Sequence, residues 1–172
     1  MKPFNPTIRW ALWSLLASTS LASQAAEYQI PRVQGHVNVD GDLSDAAWTQ
    51  AKTIELKYNT WPAENTPAPV QTTAQVMEDG ENLYVSFIAK DPHPEQIRAY
   101  FRDRDKIWED DMVGIKLDTY NDSKLAYEFF INPHGVQADA IENELTKMES
   151  DAWDGIWHSA GKLTADGYQV EV

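Results

Sequence analysis

Carboxylates and aromatic rings make up most of the side chains here that could do chemistry. Asp110 and Asp111 open an alternating stretch, Val113-Gly114-Ile115-Lys116-Leu117, and Asp118 closes it. A hard cation such as calcium takes about six to eight oxygens from carboxylates and carbonyls. Asp110, Asp118 and Asp139 are therefore metal candidates, with Glu142 a further one. The competing reading is that Asp110 and Asp111 cap the strand and pair with Arg102 or Arg104. Nothing matches the twelve-residue loop of an EF-hand. Trp61 lies in a proline-rich stretch, and Trp108 in the polar run Arg102 to Glu109. Trp153 and Trp157 follow the charged stretch Glu142 to Asp151. An indole face can stack on the apolar C–H face of a sugar ring while arginine, carboxylate and amide groups bond the hydroxyls. The same rings can equally fill a β-sheet core. The saccharide-binding candidates are Trp61, Arg104, Trp108, Asp111, Asn132, Trp153 and Trp157.

Catalytic chemistry has weaker support. Two carboxyl groups about 5–10 Å apart can cleave a glycosidic bond, and Asp111 with Glu128 could form such a pair, but separation alone is a permissive test. His36, His93, His134 and His158 show no His-x-x-x-His spacing for zinc. No Gly-x-Ser-x-Gly elbow is present to mark a serine nucleophile.

Period-2 patterning supplies the scaffold. Val113, Ile115 and Leu117 alternate with polar or small residues, and Leu125, Tyr127, Phe129 and Ile131 repeat the pattern after the Asn121-Asp122 turn. That alternation marks a sheet with one buried face. Further turns fall at Asp40-Gly41, Asp79-Gly80, Pro133-His134-Gly135 and Asp166-Gly167. The spacing predicts an all-β antiparallel sandwich, jelly-roll-like, with strands near 28–33, 36–40, 53–58, 71–78, 82–90, 97–102, 112–119, 124–132, 136–141, 156–164 and 168–172. One short helix is expected from Leu43 to Ala51, capped by Asp42, with Trp48 facing inward. Pro62, Pro67 and Pro69 keep residues 61–70 out of a central strand. Residues 142–151 form a second long loop.

Bulk composition narrows the partners. The chain has 172 residues, no cysteine and a formal net charge of −13. No disulfide, thiolate metal site or cysteine nucleophile is possible. The acidic balance argues against nucleic acid and against anionic lipid, and suits a neutral ligand or a divalent cation. Residues 1–25 read as a signal peptide: Lys2 and Arg9 precede a short apolar run, and Ser23-Gln24-Ala25 offers a cleavage site. The expected mature domain is residues 26–172, exported to the periplasm or outer membrane. The chain stops inside an alternating strand, 168–172, which suggests a longer protein.

Four blocks together resemble family 9 carbohydrate-binding modules. They are Val39-Asp40-Gly41-Asp42-Leu43-Ser44-Asp45-Ala46-Ala47-Trp48; Leu83-Tyr84-Val85 with Asp91-Pro92; Asp110-Asp111 through Asp118; and Tyr127-Glu128-Phe129 through Asn132-Pro133-His134-Gly135, with Trp153-Asp154-Gly155-Ile156-Trp157 beyond. The last block resembles a branch in which the module heads a large bacterial outer-membrane β-barrel. The resemblance implies a β-sandwich that binds an oligosaccharide or polysaccharide through an aromatic clamp, with calcium in some members. Two alternatives stay open: a structural or gating domain packed on its own barrel, and a glycoside hydrolase.

Overall fold

A computed structural model describes residues 27–172, so the expected signal segment lies outside the described residues. Nine strands form among the described residues: β1 (Lys52–Tyr58), β2 (Pro67–Glu78), β3 (Leu83–Lys90), β4 (Val113–Leu117), β5 (Leu125–Ile131), β6 (Gln137–Asn143), β7 (Met148–Ser150), β8 (Ala160–Thr164) and β9 (Gly167–Glu171). They build two antiparallel sheets, a five-stranded one in the order β1-β2-β3-β9-β8 and a four-stranded one in the order β4-β5-β6-β7. The expected β-sandwich is what the chain adopts.

Alternation places the core. Ala74 and Val76 of β2, Val85, Phe87 and Ala89 of β3, and Tyr168 and Val170 of β9 bury their side chains with Ile131 of β5, and Val113 and Ile115 of β4 pack against them. The β8–β9 turn is drawn tightly against β3: a Cβ on Gly167 (φ +150°) would sit 1.9 Å from the Ala89 carbonyl oxygen. Glycine alone fits there, and it delivers Tyr168 into the sheet beside Ala89.

The other face of the five-stranded sheet is covered by the segment before β1. Val33, Val37, Ala47 and Trp48 form a second buried cluster with Met77. Glu171, fully buried on β9, pins this cover. Its Oε2 accepts the N–H groups of Asp40 (3.0 Å) and Gly41 (2.8 Å), and its Oε1 accepts Trp48 Nε1–H (2.8 Å).

Several expectations need correction. The helix is a 3-10 turn, Ala46–Gln50, and it starts after Asp45 rather than Asp42. Asp42 instead reaches Lys162 (3.2 Å), and Asp45 accepts the Asn38 N–H (2.7 Å). Residues 40–44 are spent on tight turns, with Asp42 N–H on Asp40 Oδ1 and Ser44 N–H on the Asp42 carbonyl. Too little chain is left for an α-helix before β1. Trp48 faces inward as expected. Stretches 28–33, 36–40 and 97–102 form no strand and join no sheet beyond one bridge, Arg32 to Glu78. The 142–151 loop is a hairpin in which β6 runs on to Asn143 and β7 pairs with it.

Candidate functional site

The prolines that exclude residues 61–70 from a regular ladder also open a cleft. Leu56 pairs with Thr72 and Tyr58 with Pro67, so Ala68–Gln71 stand opposite Lys57 alone. Pro67 and Pro69 have no N–H to give, and pairing with β3 begins only at Gln71. β2 therefore starts at Pro67, earlier than expected, as a bulged strand at a sheet end, where proline is tolerated. Below the bulge, between β1 and β4, lies a cleft of about 400 Å³. Leu56, Val70, Phe87 and Val113 make its apolar wall, and Tyr58, Met112, Asp91, Asp111 and Tyr168 are among its other lining residues.

The polar groups of the cleft are held in place but not used up. Asp111 exchanges two bonds with Arg98, its N–H to the Arg98 carbonyl (2.8 Å) and its Oδ2 from the Arg98 N–H (2.7 Å). Asp91 Oδ1 accepts the His93 N–H (2.7 Å). The second oxygen of each carboxylate has no protein partner among the described residues. Burial pushes the Tyr168 hydroxyl pKa well up, and the charges of Asp111 and Asp91 push it further. That hydroxyl stays protonated and can donate.

Two aromatic turns rise from this end of the sandwich. The turn carrying Trp61, which is 81% exposed, springs from Tyr58 and Ala68 and is closed by Asn59 N–H to the Thr66 carbonyl (2.8 Å). The loop from Arg98 to Asp111 presents Tyr100, Phe101 and Trp108, with Phe101 also 81% exposed. Phe101 stacks on His134 (4.3 Å between centroids), Arg102 lies over Tyr100, and Trp108 meets Phe130 edge-on (5.4 Å). This loop is braced from beneath. Asp110, its side chain fully buried, accepts bonds from Tyr100 N–H (3.2 Å), Asn132 Nδ2 (2.9 Å) and Arg102 Nε (3.1 Å). Burial raises the Asp110 pKa, but these donors together outweigh it and hold the carboxyl below its ordinary value.

The remaining candidates divide by role. Asn132 is fully buried; its amide donates to the Tyr100 carbonyl (2.8 Å) and Asp110, and its Oδ1 accepts His134 and Val136 N–H. No valence is left for a ligand, so it positions the loop. Arg104 donates to Gln137 Oε1 (2.6 Å), the Gly155 carbonyl (2.9 Å) and Asp139. Asp139 also accepts Trp157 Nε1–H (2.6 Å). Trp157 packs on Phe129, and Trp153 packs on Phe129 and Tyr127. Trp157 also packs against the core cluster, and neither tryptophan lines the cleft. Asp118 stabilises the β4–β5 turn by accepting Tyr120 and Ser123 N–H, which lowers its pKa.

Asp110, Asp118 and Asp139 therefore do not converge on one ion. Asp110 and Asp118 flank β4 at opposite ends, separated by a strand of 5 residues that rise about 3.3 Å each, and Asp139 is turned to Arg104. Glu128 faces away from the cleft, toward Lys116, so it does not stand across that cleft from Asp111. Asp91 and Tyr168 escaped sequence reasoning. The signal for Asp91 is Pro92 directly after it at a strand end; Tyr168 carries no signal beyond its place in the alternating stretch 168–172.

Neither the curated proteins nor the solved structures searched gave a match. The sequence does match the family described as carbohydrate family 9 binding domain-like over residues 39–172. That match takes in both sheets and the cleft, and it supports a carbohydrate-binding role. The chain belongs to the carbohydrate family 9 binding domain-like family.

Proposed function

We propose that the chain is a non-catalytic saccharide-binding module of an exported protein, and that its ligand sits in the cleft between β1 and β4. One observation carries the reading: an apolar wall and two anchored carboxylates with spare oxygens share a cleft of about 400 Å³, within the usual range for small-ligand sites. A pyranose offers what those surfaces need. Its C–H face packs on Tyr58, Met112 and Leu56, while its hydroxyls donate to Asp91 and Asp111 and accept from Tyr168. Trp61 stands beside the entrance, where a longer glycan would extend. The leader-like residues 1–25 support export.

Among the described residues, no lysine or arginine lines the cleft. Neutral sugars are therefore the expected ligands, and uronic acids, which would bring a carboxylate against Asp91 and Asp111, should bind poorly. A glycan array followed by calorimetry tests this. Asp111→Ala and Tyr58→Ala should each weaken binding by about tenfold or more, the size of a lost charge-assisted hydrogen bond or stacking contact. No binding to any neutral oligosaccharide at millimolar concentration would remove the proposal.

The exposure of Trp61 and Phe101 favours a second reading, in which these turns dock on a β-barrel in the same polypeptide. Tryptophan fluorescence separates the two: quenchable indoles that ignore every saccharide would support docking.

A further inference from the structure

The face of the four-stranded sheet that points away from the cleft carries a second group of carboxylates. The register puts Glu142 opposite Glu149 across β6 and β7, and Glu128 opposite Ala140 across β5 and β6. Ala126 and Ala140 are buried beneath them. One oxygen each from Glu128, Glu142 and Glu149 lies within 4.8 Å of the others. Like charges directly opposed across strands destabilise a sheet, so something must compensate them.

The lysines here do part of that work. Lys116 reaches Glu128 Oε1 (3.3 Å), Glu144 (2.9 Å) and Glu142, and Lys147 reaches Glu142 Oε1 (3.5 Å) and Glu144. Four carboxylates thus face two ammonium groups, and two negative charges are left over. Glu149 makes no ion pair among the described residues. Glu128 is only 4% exposed, and its Oε2 is buried without any partner among the described residues. An orphaned carboxylate oxygen is costly unless an ion or ordered water meets it.

We propose that this face binds a divalent cation between Glu128, Glu142 and Glu149, with calcium the best match. Oxygen-only donors select a hard cation, the residual charge equals that of one such ion, and the second Glu128 oxygen gains the partner it lacks. Lys116 remains on Glu144 and on the first oxygen of Glu128. Water fills the outward coordination positions beside the exposed Glu149. This site is independent of the saccharide cleft.

The test uses the full chain stripped with a chelator. Added calcium should raise the melting temperature saturably, a chelator should reverse it, and terbium should bind with luminescence displaced by calcium. Glu149→Gln changes an exposed side chain on a short edge strand and leaves the fold intact; it should raise the calcium needed for half the shift by about tenfold, as loss of one charged ligand does. Glu128→Gln should do the same. A melting temperature indifferent to millimolar calcium, or a calcium response unchanged in Glu149→Gln, would overturn the proposal.

Discussion

Replacing Glu171 with alanine is expected to cost the fold about 3–5 kcal/mol, because three donors, two of them buried, lose their acceptor at once and each unsatisfied buried group costs about 1–3 kcal/mol. The donors are the Asp40 and Gly41 N–H groups and the Trp48 indole. They lie on the segment that covers one face of the five-stranded sheet, so the second core of Val33, Val37, Trp48 and Met77 should loosen with them. Urea denaturation followed by tryptophan fluorescence reads both effects. Glu171→Gln keeps the volume and one oxygen, and should lose less. The pH dependence has a definite sign. Burial raises the Glu171 pKa, and the hydrogen bonds from Gly41, Trp48 and Asp40 only partly offset it. The folded chain therefore holds this proton more tightly than the unfolded chain. The contribution is fully present below the ordinary carboxylate value of about 4.3 and declines as pH rises through the raised folded value. The stability advantage of the native chain over Glu171→Gln should shrink across that window.

Asp139→Ala is the second large effect. Asp139 has no exposed side-chain surface and receives the Arg104 guanidinium, the Gly155 N–H and the Trp157 indole. Removing one member of a buried ion pair costs about 3–5 kcal/mol. Arg104 keeps 32% side-chain exposure and pairs as well with Asp154 (3.3 Å), so water and that neighbour offset part of the loss, and about 2–4 kcal/mol is expected. Trp157 should become more quenchable as its anchor goes. Binding in the cleft, which none of Asp139, Arg104 and Trp157 lines, should change far less than stability. A variant that folds normally yet loses ligand would instead place Arg104 and Trp157 at the binding surface.

The strand pairs were the most legible part of the sequence. Val113 to Leu117 and Leu125 to Ile131 are read correctly because alternation over a hairpin has few other solutions. Stretches 28–33, 36–40 and 97–102 have strand-like composition but spend their backbone bonds on loops and side chains such as Asp45 and Asp111. No local pattern distinguishes the two outcomes. The tryptophans show the same limit: Trp61 and Trp108 are exposed as a ligand-facing role requires, whereas Trp153 and Trp157 pack against Tyr127 and Phe129. The cleft was half visible. Pro67 and Pro69 announced a break in pairing, but Leu56, Asp91, Asp111 and Tyr168 meet there only through sheet register. Glu128 and Glu142 became partners the same way, through alternation that turns both to one face.

The most direct test of the account is a two-dimensional NMR titration of the chain with a neutral oligosaccharide. Resonances of Tyr58, Asp91, Asp111 and Met112 are predicted to shift saturably, with Trp61 responding as the glycan lengthens and Trp157 unmoved. Shifts gathered at Trp153 and Trp157, or none anywhere at millimolar ligand, would contradict it.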